Sequence, residues 1–191
     1  MAGKSNSSKG STGAAAAAAL APDNSVEFVL SHATTPDKFS AALSKLFGVR
    51  SKEVAILRLE KGLLKFIFPE QLKTAGFIPV SSSSSVAAHT ATTKKTQMFN
   101  AFTQVKHARV FETIKLASGE ETEQSEQASI QKLMSAPVLN AEKKVMGVIQ
   151  ISRKAFEASS AGPDFTQEDV QQLELAAKVA AKMPFMQTAS A

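Results

Sequence analysis

Leu133-Met134-Ser135-Ala136-Pro137-Val138-Leu139, then Asn140 to Lys143, then Val145-Met146-Gly147-Val148-Ile149-Gln150-Ile151, is the stretch on which the reading of this chain turns. Two mostly apolar runs of strand length flank a short polar segment with turn-forming Asn140, and this spacing predicts a β-hairpin. An earlier stretch repeats the pattern. Val54 to Leu59 and Leu63 to Phe68 flank Lys61-Gly62, where glycine supplies the positive φ of a tight turn. Apart from Arg58 and Lys65, both of these strands are apolar on both faces, so the sheet is expected to be covered on both sides.

Helical patterns surround the hairpins. Thr35 can cap, Pro36 suits the first helical position, and Phe39, Ala42, Leu43, Leu46 and Phe47 form one apolar face up to Gly48. Ile78-Pro79 and the serines 81–85 lead into a short helix from Val86, and a strand is expected from Gln97 to Phe102. Residues 117–127 read as a mobile acidic loop. Thr166 caps a closing helix over 166–183, with Asp169 at its third position, Phe165 stapling to Val170, and Val170, Leu173, Ala176, Val179, Ala180 and Met183 on one face. The order helix, hairpin, loop and helix, hairpin, helix predicts an α+β domain, an antiparallel sheet with helices on its faces. That domain spans 25–185. The Ser/Gly/Ala-rich residues 1–24 and the last residues, 186–191, are expected to be disordered tails, having too little apolar surface to offset their ordering entropy.

Composition removes whole classes of chemistry. With no cysteine among 191 residues, disulfides, thiolate metal sites and a cysteine nucleophile are excluded. The charge of +5 raises nucleic acid as a partner, but the lysines and arginines are scattered and the densest charge run is acidic, Glu120 to Glu126. A solvated mixed surface is the expectation, with no nucleic-acid partner unless Lys94, Lys95, Lys106 and Arg109 form a stripe. No stretch has the length of a transmembrane helix, so no membrane partner is expected. Lys4 and Lys9 before an alanine run ending in Ala19-Leu20-Ala21 resemble an export signal. The run is short and weakly hydrophobic, and a cytoplasmic location is the expectation, with export the alternative.

Five segments in this order resemble the GAF domain family, which is related to PAS domains. They are Ile78-Pro79 with the helix entrance at Val86 to Thr93, Lys106 to Phe111, the strands at 133–139 and 145–151, and Phe165 to Val170. The resemblance covers about residues 25–185. It implies an antiparallel sheet of about six strands flanked by helices. It also implies a ligand cavity on one face and dimerisation through terminal helices on the other. Cyclic-nucleotide-binding members carry Asn-Lys after the last strand and Phe-x3-Asp-Glu at the last helix. Here these positions read Arg153-Lys154 and Phe165-x3-Asp169-Val170, which weakens that ligand assignment and implies a structural ion pair, Lys154–Asp169. Cysteine-dependent reduction of free methionine sulfoxide and covalent bilin binding, both known in the family, are excluded by the absence of cysteine.

The same resemblance makes Phe99, Phe102, Phe111, Ser129 and Gln131 the ligand-pocket candidates, and it puts His89 and His107 in segments that border the cavity. The three histidines, with His32, show no metal spacing, and neither a metal nor a cofactor is expected. Ser81 to Ser85 can be an anion site or a turn that caps the helix. No catalytic constellation can be assembled. Two readings follow. One is a non-catalytic sensor that binds an unidentified small molecule, forms a homodimer and signals through a separate partner protein. The other is a structural dimerisation module whose cavity is filled by its own Phe99, Phe102 and Met134.

Overall fold

The computed structural model describes residues 25–74, 76–104 and 128–187. The expectations for residues 1–24, Lys106, His107, Arg109, Phe111 and the acidic loop at 117–127 lie outside the described residues. The chain forms α1 (Val26–Ser31), α2 (Pro36–Phe47), β1 (Val54–Glu60), β2 (Leu63–Phe68), β3 (Phe77–Pro79), α3 (Val86–Thr93), β4 (Gln97–Phe99), β5 (Ser129–Leu139), β6 (Val145–Ala155) and α4 (Gln167–Ala180). The strands make one antiparallel six-stranded sheet in the order β3-β2-β1-β6-β5-β4. The α+β sheet-and-helix architecture expected from the sequence is the one observed.

Both hairpins sit at the centre, because strands apolar on both faces are stable only when covered on both. Ile56, Met134, Ala136, Val138, Ile149 and Ile151 face α1, α2 and α4 in a fully buried core. From α2 that layer receives Phe39, Leu43 and Phe47, each contributing about 1.5–3 kcal/mol of burial. On the opposite face Leu57, Leu64, Phe66 and Val148 pack against Ala87, Ala88 and Ala91 of α3.

The caps are those the sequence indicates. Thr35 Oγ1 accepts from Lys38 N, Gly48 closes α2 in the left-handed region, and Ser85 Oγ accepts from Ala88 N at the start of α3. Of the two readings of the serine run, the structure shows the cap at Ser85. At α4, Thr166 and Asp169 form a reciprocal capping box.

Several boundaries differ from the sequence reading. The six-residue α1, capped by Ser25, is too short to display a periodic stripe and was not expected. The strand expected over 97–102 ends at Phe99, and Phe102 begins a separate turn. The C-terminal boundary also moves, since Met186 is fully buried against the helix-side core and Gln187 Nε2 donates to Ala181 O. Order therefore continues past 185, because a buried methionine holds the chain down after Pro184.

Candidate functional site

On the α3 face, an otherwise apolar surface carries a buried polar group of three. Ser135 on β5 and Gln150 on β6 are cross-strand partners, and Thr90 on α3 lies over them. Thr90 Oγ1 donates to Ser135 Oγ at 2.8 Å, and Gln150 Nε2 donates to the same oxygen at 3.2 Å. Ser135, accepting from both, keeps its own proton available to donate. Beside this group Phe102, Val86 and Leu133 form a small buried cluster, with Phe99 and Ile130 half-buried against it. Phe99 and Phe102 meet edge to face at 5.9 Å.

The sequence candidates are distributed unevenly around this site. Phe99 and Phe102 stand together within it, and Ser129 is half-buried at the start of β5. Gln131 lies at a β-bulge, and its Nε2 donates to Ala155 O at 2.9 Å and to Phe156 O at 3.5 Å. That amide restores backbone bonding where the ladder breaks, so its donor end is spent on the fold. Met134, expected as a cavity filler, is buried on the opposite face, as period-two alternation from Ser135 requires. His89 Nδ1 is hydrogen-bonded to the Gln97 amide, and His32 Nδ1 to Phe28 O. Among the described residues no three His, Asp or Glu side chains gather as metal ligands. Thr90, Ser135 and Gln150 were missed as a site. Their signal was available as the opposed polar residues Ser135 and Gln150 within two apolar strands.

The ion pair expected between Lys154 and Asp169 is not made. Asp169 Oδ2 instead accepts from Thr166 N at 2.7 Å and Thr166 Oγ1 at 3.0 Å, completing the cap of α4. Lys154 belongs to a cluster around Glu53, a carboxylate only 6% exposed. Glu53 Oε1 accepts from the Arg50 guanidinium and from Lys154 N, and Oε2 from Arg50 N, each at 2.7 Å. Burial alone would raise the Glu53 pKa, but these bonds outweigh it and hold the carboxyl below its ordinary value. Burial is also the largest influence on Lys154. It lowers the pKa against the attraction of Glu53, and Lys52 and Arg50 add repulsion.

A lysine whose burial outweighs its attraction to Glu53 should be dispensable. Lys154→Met is expected to leave stability unchanged or raise it by about 0.5 kcal/mol in urea unfolding at neutral pH. A base whose folded pKa is lowered is stabilising only once deprotonated, so parent stability should rise as pH climbs through that pKa, and the variant should lack this rise. A loss above about 1 kcal/mol would show that the ammonium has an effective partner.

Polar pins tie the sheet to the start of α4. Asn100, next to Phe99, donates through Nδ2 to Phe165 O at 3.0 Å and accepts from Phe165 N at 2.9 Å. Lys132 Nζ, nearly buried, reaches Gly162 O at 2.6 Å and Asp164 Oδ1 at 2.7 Å. Arg153 donates to Phe47 O and Gly48 O at the end of α2, where a cation complements the helix dipole, and lies 4.8 Å over the Phe165 ring.

The model of the family described as GAF domain matches residues 36–182. No curated protein sequence matches the chain. Among solved structures, the GAF domain of an Acinetobacter phosphoenolpyruvate-protein phosphotransferase is 13% identical, with 83% of this chain and 80% of that one covered at a TM-score of 0.54. The A. aeolicus nlh2 GAF domain in an inactive state is 13% identical, with 82% and 88% covered at 0.53. Residues 122 to 287 of a methyl-accepting chemotaxis protein are 14% identical, with 82% and 93% covered at 0.54. At these identities the structural likeness is one of fold, and the family assignment rests on the sequence match over most of the chain. The chain belongs to the GAF domain family, whose members serve in general as sensor and regulatory modules.

Proposed function

We propose that this protein is a non-catalytic sensor that takes a small molecule on the α3 face of its sheet and reports to a separate partner protein. The Thr90–Ser135–Gln150 group carries the reading. A mostly apolar site with a few fixed hydrogen-bonding groups is the usual composition of a small-molecule pocket. The chemistry fits a largely apolar ligand with an acceptor oxygen for Ser135 and a flat apolar part for Phe99 and Phe102. An output route starts at Asn100, which joins the Phe99–Phe102 segment to Phe165 at the entrance of α4. Packed against α4, α1 exposes Phe28 at 40% and Val29 at 47%, apolar surface suited to a second copy of the chain. Ligand-driven shifts at the start of α4 would alter such a helical dimer.

A second reading has its own observation. Phe102 is 2% exposed and fills space between Val86 and Leu133, as in a structural module whose cavity is occupied by its own side chains. Native mass spectrometry of the purified full chain separates the two. The sensor reading expects two chains per particle plus a retained mass that is lost in Ser135→Val. Bare-chain mass in every preparation, with no thermal stabilisation by fractionated cell extract, would establish the structural reading instead. A particle of one chain at every concentration would remove the dimer.

A further inference from the structure

On the opposite, helix-covered side of the sheet, a groove of about 490 Å³ opens where the start of α2 passes the end of β2 and the approach to β1. Its charged lining is of both signs: Asp37 and Glu70, with Arg50 and Lys52. Phe68 and Pro69 supply an apolar wall. No ion pair joins the two signs across the groove. Arg50 pairs with Glu53 behind it and Glu70 with Lys73, while Asp37 and Lys52 have no ion-pair or hydrogen-bond partner among the described residues. Unlike charges are thus held apart around an open space, and only one guanidinium nitrogen of Arg50 is engaged.

A simple anion would meet Asp37 and Glu70, and a simple cation would meet Arg50 and Lys52. A ligand carrying both charges satisfies both sides at once. The volume lies within the range of small-molecule sites. We propose that this groove binds a free α-amino acid with an apolar side chain. Its carboxylate is directed to Arg50 and Lys52, its ammonium to Asp37, and its side chain to Phe68 and Pro69. The groove shares no lining residue with the Thr90–Ser135–Gln150 group on the α3 face.

The test is a titration of the isotopically labelled full chain with each of the standard amino acids, followed through backbone amide resonances. Leucine or a similar amino acid is expected to shift the Ser51 and Gln71 amides, which line the groove, in a saturable way. N-acetyl-leucine and leucinamide, each missing one charge, should bind at least about tenfold more weakly. Asp37→Asn should abolish the discrimination against the N-acetyl compound, and Lys52→Met that against the amide. Both side chains are exposed and unpaired, so both variants should fold and melt close to the parent. Absence of saturable shifts with every amino acid would overturn the proposal. So would binding of either blocked compound as tight as that of free leucine, or shifts confined to Thr90, Ser135 and Gln150, which would place the ligand on the other face.

Discussion

Replacing Gly147 by alanine should destabilise the domain by about 3 kcal/mol or more, with a melting temperature lower by about 10 °C. A Cβ built at Gly147 comes 2.0 Å from Leu57 O and 2.6 Å from Met186 Cε. Leu57 belongs to the neighbouring central strand β1, where a register shift between Ile56 and Leu57 disturbs the ladder with β2. The methionine end is flexible and can move. The carbonyl is backbone of a strand paired on both sides, so it cannot move away without disturbing a ladder that β2 and β6 hold in place. Gly147→Ala combined with Met186→Ala should therefore remain as unstable as the sum of the single variants. Recovery of most of the stability in the double variant would show that Met186, rather than the β1 backbone, is the obstacle.

The second large effect is expected at Glu53. Glu53→Ala should cost about 3 kcal/mol, because it leaves the Arg50 and Lys154 backbone N–H groups without their acceptor and removes the partner of the Arg50 guanidinium. Arg50 is 53% exposed, so the water it regains moderates the loss. The acid dependence has a definite sign. The folded pKa of Glu53 lies below its ordinary value, so its contribution is fully present above about 4.5, the unfolded value, and is lost as pH falls through the folded pKa. Urea unfolding from neutral to acid pH should show a steeper loss for the parent than for Glu53→Gln. Parallel profiles would mean that another carboxylate dominates. The consequence reaches beyond stability, since Glu53 joins the approach to β1 with β6 and holds Arg50 at the rim of the groove.

Much of the fold was legible because local patterns and tertiary burial agree. The apolar runs at 54–59, 63–68, 133–139 and 145–151 became the four central strands, and Thr35, Gly48 and Thr166 end their helices as their side chains and backbone freedom dictate. Where a strand is only three residues long, as at Phe77–Pro79, the periodicity is too brief to declare itself and pairing to a longer neighbour makes it a strand, whereas at Gln97–Phe99 the strand was legible and only its end was not.

The site was less legible. Resemblance offered Phe99 and Phe102 as candidates, and the structure shows only that their rings pack together, while Gln131 could be recognised as a bulge-restoring amide only from the β5–β6 register. By itself the sequence determined what this protein lacks, cysteine above all, and what it builds, since binary patterning and capping are local properties of neighbouring residues. The tertiary structure decided which polar groups meet. Asp169 could serve Lys154 or the cap of its own helix, and the cap won because Thr166 lies within one turn whereas Lys154 lies beside Glu53, a hundred and one residues away in the chain. Thr90, Ser135 and Gln150 likewise became one hydrogen-bonded group only because α3 packs across the β5–β6 pair. Such long-range pairings follow from the register and packing of whole elements, which no local sequence pattern encodes.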